Sequence, residues 1–421
     1  MYQNEIFKLV KTGLKLSKSD VIKSDYQNLP EIQLGFFSFI HRNKDKMSIL
    51  KDIREKRGEF YYVVNPYEHV IVNSKDCLKE ICKTFFDKPK ILSRAFYKLW
   101  EILVVFDLVD LDKKDFICVA LAEGPGSFLQ AVYYYRNKYG NSKKDKYFGI
   151  TINDDNSAEI KKDLIKSFNK DTAGLFIHST VNSKEAEKGN KDDGDLTKTK
   201  THNNFEKFVL NKGDYADLIT ADGGFDWKNE NYQEQEAYFL ILGQILGAIK
   251  LNKKGGNFVL KIFETYTTLT LKIIGILEKT YEKVYLFKPK TSRPSNSEKY
   301  LVCMDYQLSK NSTEEKTLIK LLESILDKND NKQFINDFFL DTTLDKNYLD
   351  LIIDANKKFT NTQLIQINKL IDYINTQNYF GVNFHQYQKE QLEATKKWVE
   401  MFFVDDLKKL KDNQKLLQKE L

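Results

Sequence analysis

The sequence predicts an α/β fold: an open sheet with helices on both faces. Three observations predict it. Between residues 115 and 306, short apolar runs rich in Val, Ile, Phe and Tyr alternate with amphipathic stretches. The runs are apolar along their whole length, as strands buried on both faces should be. A glycine-bearing turn follows the first run directly and opens a helical stretch, at the kind of place where such sheets bind ligands.

Taken in order, the elements follow from local composition. Before residue 90 the pattern is mixed. LGFFSFI (34–40) is an apolar cluster, and YYVVNPYEHVIVN (61–73) reads as a hairpin or strand pair around Asn65-Pro66. SRAFYKLWEIL reads as a helix leading into the sheet. Seven strands are expected at DFICVAL (115–121), YFGITI (147–152), GLFIHS (174–179), ADLITA (216–221), NFVLKIF (257–263), KVYLF (283–287) and KYLVCMDY (299–306). Amphipathic stretches such as 232–252 and 268–279 supply helices between them. Residues 182–204 are polar and almost free of apolar side chains, so they read as a long loop, functional or mobile. Beyond 307 the chain is Lys/Asp/Asn-rich with apolar residues at helical spacing in TLIKLLESILDK and QLIQINKLIDYI, and no proline follows Pro294. The expected organisation is an N-terminal extension (1–90), a central domain (91–306) and a helical C-terminal region (307–421).

Bulk composition bounds the function without assigning it. The chain has 421 residues, of which 41% are hydrophobic, so a sizeable core is expected and global disorder is excluded. Its 66 Lys+Arg against 60 Asp+Glu leave a net charge of +6, which suits a nucleic-acid partner without demanding one. The accompanying wealth of Asn and Ile is what an AT-rich coding bias also produces. Cys77, Cys82, Cys118 and Cys303 form no CxxC pair and read as reduced thiols. His41, His69, His178, His202 and His385 lack ligand spacing, so no metal site is expected. The N-terminal MYQNEIFKLVKTG has no signal-peptide core, and no run approaches about 18 apolar residues. A soluble, intracellular protein without a membrane span is expected.

Chemistry gathers at a few positions. In AEGPGSFL (122–129) a strand feeds a glycine turn into a helix, where glycines admit a ligand close to the backbone. The turn is not the dinucleotide fingerprint, because position 129 is Leu where a third glycine is needed; a tight turn without a ligand is the plain alternative. Asp222 ends the strand ADLITA before Gly223-Gly224, at the carboxyl edge. Lys261 interrupts the apolar strand NFVLKIF, which is costly unless it has a partner. Lys98 and Glu298 read singly as a solvated helix residue and a loop charge, and Asp222 as a turn former. Lys261 resists so plain a reading.

Together, SRAFYK, EGPGSF, GDLT, ADGGFD with ENYQE, FVLKIFE and FKPKTSRPSNSEKYLVC resemble, in order, the FtsJ/RrmJ-like ribose 2′-O-methyltransferases, and within them the mRNA cap branch of eukaryotes and large DNA viruses. The resemblance runs from about Ser93 to Asp305. SRP-x-NSE-x-Y is its most specific segment, since ribosomal-RNA members carry a shorter S-x-E pattern. It implies a Rossmann-like seven-stranded sheet, S-adenosylmethionine as cofactor, capped RNA as partner and a Lys-Asp-Lys-Glu tetrad at Lys98, Asp222, Lys261 and Glu298. It assigns the cofactor to Ser93, Ala122, Glu123, Gly124, Pro125, Gly126, Ser127, Phe128, Gly149, Thr151, Gly194, Asp195 and Asp222, and the RNA to Asn231, Arg293 and Asn296. The cap branch works in nuclei or, in viruses, in the cytoplasm, and any protein partner is expected at the N- or C-terminal extension. Ser127 stands where Gly is frequent, and the acid that many methyltransferases place on the cofactor ribose is not evident in GITINDD, where Asn153 and Asp154 stand. A ribosomal- or transfer-RNA methyltransferase and an inactive RNA-binding relative are the alternatives.

The implied reaction explains the residue types. A ribose hydroxyl is a poor nucleophile until its proton is removed or shared, and Lys261 is the expected base. A free lysine has a pKa of about 10.4. Burial and Lys98 push Lys261 down, while Asp222 and Glu298 oppose that shift. Either a neutral lysine accepts the proton or the set polarises the hydroxyl. A methylated guanine is cationic and calls for aromatic stacking, but 23 Tyr, 29 Phe and 3 Trp leave too many candidates, and Trp227 reads first as a packing residue.

Overall fold

A computed structural model describes residues 5–16, 21–50, 63–68, 91–152, 160, 162–178, 192–224, 229–329, 333–376, 381–419 and 421. In chain order the elements are β1 (Ile6–Lys8), β2 (Ile22–Ser24), α1 (Leu34–Asp45), α2 (Ala95–Phe106), β3 (Ile117–Leu121), α3 (Ser127–Tyr139), β4 (Lys146–Ile150), α4 (Lys162–Asp171), β5 (Gly174–His178), α5 (Thr199–Lys212), β6 (Ala216–Ala221), α6 (Tyr238–Leu251), β7 (Asn252–Ile262), α7 (Thr268–Thr280), β8 (Tyr281–Phe287), β9 (Lys299–Tyr306), α8 (Thr313–Leu326), β10 (Phe334–Asp337), α9 (Lys346–Asn375), α10 (Val382–Phe402) and α11 (Leu407–Gln418).

All seven apolar runs form strands of one Rossmann-like sheet, ordered β1-β8-β9-β7-β6-β3-β4-β5. Strands β5, β4, β3, β6 and β7 are parallel, and β9 runs antiparallel between β7 and β8. An eighth strand comes from the N-terminal segment. β1 adds antiparallel to the outer edge of β8, with Ile6 opposite Phe287. Three residues, IFK, are too short to announce a strand by periodicity. The strand exists because the edge of β8 offers unpaired backbone groups.

Alternation along the strands feeds two apolar layers. Ile219, Leu260 and Leu301 face one layer, with Leu242 and Ile245 of α6 and Ile274 and Leu277 of α7. Leu218, Val259 and Val302 face the other, with α2, α3 and, from the C-terminal region, Trp398, Phe402 and Phe403. Each fully buried side chain of this kind contributes about 1.5–3 kcal/mol. α2 is apolar nearly all round, so it is buried nearly all round. Trp100 donates its indole N–H to the Phe402 carbonyl at 2.8 Å, which seats α10 on α2.

Several expectations shift locally. Of the hairpin read at 61–73, residues 63–68 are described, and they form a helical turn and a bend; Asn65 accepts from the backbone of Tyr67 and Glu68, closing the turn before a strand can start. The LGFFSFI cluster begins helix α1. The polar loop ends at Lys198, where α5 begins, and 179–191 lie outside the described residues. The helix read over 232–252 starts at Tyr238 after two short helical turns, and β7 begins at Asn252. Among the described residues no helix is long and apolar enough to cross a membrane.

Candidate active site

The chain winds outward from β3 through β4 to β5, then returns and winds the other way through β6 and β7. The switch point lies between β3 and β6, where a crevice opens at the strands' carboxyl ends. Leu121 pairs with Ala221, so the next residues, Ala122 and Asp222, emerge side by side.

The glycine turn occupies this crevice. Ala122 sits at φ 54 and Gly126 at φ 112. At that φ a side chain at Gly126 is strained, and its Cβ would also stand 2.7 Å from Leu164 Cδ2, so glycine is favoured. Glu123, buried, accepts from the amides of Phe128 (2.8 Å) and Leu129 (3.0 Å). These are first-turn amides of α3, already satisfied, so the turn is not a phosphate cradle. Burial pushes the Glu123 carboxyl up to about 8, with Asp222 adding to the rise against the two amides. A sulfonium nucleoside carries no phosphate and needs no such cradle, so the turn is compatible with it. Ser93 Oγ lies 2.7 Å from Ser127 Oγ, tying the start of α2 to the turn. Gly149 lies within β4 against Leu129, Ile160 and Ile177. Gly194, at φ 75, passes so close to the Thr151 carbonyl that a side chain there would overlap it. Asp192 holds this loop by accepting from Gly194 N, Thr201 Oγ1 and Asn204 Nδ2 and pairing with His178. Asp195 turns the chain into α5 by accepting from Thr197. Asn153, Asp154 and Trp227 lie outside the described residues.

The four residues of the expected tetrad meet as two ion pairs. Lys98 Nζ stands 2.7 Å from Glu298 Oε1 and 2.9 Å from Oε2. Lys261 Nζ stands 3.1 Å from Asp222 Oδ1 and donates to the Asp222 carbonyl at 2.8 Å. All four side chains are less than a fifth exposed. Tyr300, opposite Lys261 in the β7–β9 register, donates to Asp222 Oδ1 at 3.1 Å. Burial raises its hydroxyl well above the usual range, and both Asp222 and Glu298 add to that. Tyr300 therefore lies between the two carboxylates and links the pairs.

The charge on Lys261 follows from its neighbours. Burial pulls Lys261 down, but Asp222 and Glu298 outweigh it, and the amine is raised above its ordinary value. Two carboxylates at close range exceed one desolvation penalty, so Lys261 is an ammonium at neutral pH. Burial pulls Glu298 up, but Lys98, Lys261 and Lys288 together hold it well below the usual carboxylate range.

The loop before β9 carries its own scaffold. Ser292 donates to Glu298 Oε1 at 2.9 Å. Lys288 donates to Asn296 O (2.9 Å), Asn296 Oδ1 (2.7 Å) and Glu298 O (2.7 Å), a set that fits an ammonium with every hydrogen donated. Burial brings Lys288 down to about 7, opposed by Glu298 and aided by Lys299 and Lys98; the three acceptor oxygens favour its charged form. Arg293 pairs with Glu68 at 2.9 Å, and Asn231 Nδ2 donates to Asp45 at 2.7 Å. All three residues expected at the RNA thus have protein partners.

Sequence reasoning missed Tyr300, Ser292, Lys288 and Glu101. Glu101 had the same signal as Lys261, a charge inside an apolar run (LWEILVVF). Among the described residues no group of three or more His, Cys, Asp or Glu could hold a metal ion.

Residues 91–306 match the FtsJ-like methyltransferase family. Among curated proteins the chain is similar to the cap-specific mRNA (nucleoside-2′-O-)-methyltransferase 1 of Dictyostelium discoideum, at 29% identity over 65% of this chain and 36% of that one. The Danio rerio protein of the same name is 28% identical over 72% and 37%, and that of Mus musculus is 35% identical over 43% and 20%. The match thus spans between a fifth and little more than a third of the length of these relatives.

Proposed function

Because the chain belongs to the FtsJ-like methyltransferase family, we propose that it methylates the ribose 2′-OH of a cap-proximal nucleotide of capped mRNA, using S-adenosylmethionine. The observation that carries this reading is the paired Lys98–Glu298 and Lys261–Asp222 set at the switch point, beside a glycine turn compatible with a nucleoside that lacks phosphate. The SRPSNSE loop, which holds Glu298 in that set, favours the cap branch over ribosomal relatives. Residues 91–306 form the catalytic domain in this reading, with both extensions framing the RNA.

Ala122 to Phe128, Ser93, Thr151, Gly194, Asp195 and Asp222 would hold the cofactor. When bound, it supplies a methyl group on a sulfonium, already a good leaving centre. The chain's own task is then alignment and proton removal. Asp222 and Glu298 fix both amines, and Lys261 hydrogen-bonds the attacking hydroxyl. Lys261 is charged at neutral pH, so it serves as base only after giving up its own proton. Asn231, Arg293 and Asn296 lie where RNA would pass, and reach it by exchanging their present partners.

The test is methyl transfer from labelled S-adenosylmethionine to capped and uncapped RNA, followed by digestion to nucleosides. Label on the ribose of the first or second nucleotide, dependent on the cap, is expected. Label on uncapped RNA alone would assign a different RNA substrate, and no label would refute the enzyme reading.

A further inference from the structure

One face of α2 carries three polar side chains on an otherwise apolar helix. Arg94 at its cap, Lys98 and Glu101 are spaced four and three residues apart, so they stand one above another. All three reach the 290–298 loop. Arg94 Nη2 donates to Thr291 O at 2.8 Å, and Lys98 pairs with Glu298. Glu101, fully buried, accepts from Lys290 N (2.7 Å), Thr291 N (3.2 Å) and Thr291 Oγ1 (3.0 Å). Trp398 of α10 donates its indole N–H to the same carboxylate at 3.1 Å.

A buried carboxylate is costly unless donors surround it. Glu101's donors come mainly from the start of the loop whose end is Glu298. One helix therefore grips this loop twice, at its first residues through Glu101 and at its last through Lys98. Without the first grip, the start of the loop loses the three bonds it donates to Glu101 and keeps Arg94's bond to Thr291 O. A catalytic group misplaced by about 1 Å can lose about 100-fold in rate.

We propose that Glu101 is a positioning residue for the tetrad: it locks the start of the 290–298 loop onto the helix that bears Lys98, and Trp398 steadies it from the C-terminal region. The proposal rests on the methyltransferase reading above. It gives the C-terminal helices a defined part in catalysis, because α10 supplies a donor to the carboxylate that holds the loop.

The test uses the full chain and two variants. Glu101→Gln keeps the side chain's volume but turns one acceptor into a donor facing donors. Thr291→Val removes one hydroxyl donor and keeps both backbone bonds, so it serves even where Glu101→Gln does not fold. Three quantities are measured: S-adenosylmethionine Kd by calorimetry, single-turnover methyl transfer, and the titration of the Glu298 carboxyl by carbon-13 NMR, assigned with Glu298→Gln. The expected result is a cofactor Kd within about twofold of wild type, transfer reduced at least about tenfold, and a Glu298 midpoint moved upward in both variants. The direction discriminates, because deleting a neighbouring negative charge alone moves Glu298 down, whereas a loosened Lys98 contact moves it up. Folded variants with wild-type transfer, or with a Glu298 midpoint unmoved or lowered, overturn the proposal. A wild-type chain that transfers no methyl while Glu298 still moves up in the variants refutes the methyltransferase reading and leaves the positioning role standing.

Discussion

The Lys98–Glu298 pair permits a prediction that separates stability from catalysis. The perturbations are Lys98→Met, Glu298→Gln and the double variant. The side chains are 13% and 12% exposed, with Nζ 2.7 Å from the nearer carboxylate oxygen. At an effective dielectric of about 20, charges about 3 Å apart attract by roughly 5 kcal/mol, and desolvation offsets part of that. Removing one partner takes from the other its nearest counter-charge in a dry site, so each single variant is expected to lose about 3 kcal/mol. The double variant strands no charge and is expected to lose about 2 kcal/mol, well short of the sum of the singles. Urea unfolding at pH 7.5, followed by tryptophan fluorescence, measures this. Methyl transfer behaves differently: all three variants are expected to fall by at least about 100-fold, with no recovery in the double. Additive stability losses would refute the pair's coupling. A double variant with wild-type transfer would refute its role in the reaction.

Other predictions follow from the same geometry. Since Asp222 and Glu298 hold Lys261 above its ordinary range against burial, kcat/KM should climb with pH from 6.5 to about 9.5 without a plateau; a plateau near pH 7 would mean that Lys261 is neutral in the free enzyme. Lys261→Ala should abolish transfer and leave S-adenosylmethionine binding within a few-fold by calorimetry, and full activity would remove Lys261 from the mechanism. Burial pulls Glu264 up, but Lys44 and His41 bring it down to about 2. Its folded value lies below the unfolded one, so its stabilisation, up to about 3 kcal/mol, is complete above about pH 4.5 and is lost as pH falls toward 2. Denaturation of wild type and Glu264→Gln should therefore differ at pH 7, with the difference shrinking below about pH 4.5 and closing near pH 2. Gly194→Ala adds a side chain at φ 75 against the Thr151 carbonyl, and should weaken cofactor binding by about tenfold or more, at a stability cost of about 1–3 kcal/mol.

Much of the fold and part of the site are written locally in the chain. Seven strands were legible because a strand buried on both faces must be apolar throughout. Lys261 stood out because an ammonium in such a strand demands a partner, and Asp222 because it ends a strand before two glycines. Lys98 and Glu298 were ordinary charges until a motif joined them. β1 left no trace, since three residues carry no period and their pairing depends on an edge nearly 280 residues away. Tyr300 read as one more apolar strand residue, and its hydroxyl matters only because β9 lies against β7.

The sequence by itself determined the sheet, the glycine turn and the residue types of the tetrad, because each is imposed by the solvation of a short segment. Only the tertiary structure decided that Lys98 pairs with Glu298 and Lys261 with Asp222, that Lys261 is raised, and that Glu101 fastens the loop. Those outcomes depend on distances of about 3 Å between residues far apart in the chain, and electrostatic energy falls too steeply with distance and solvent for composition to predict its sign.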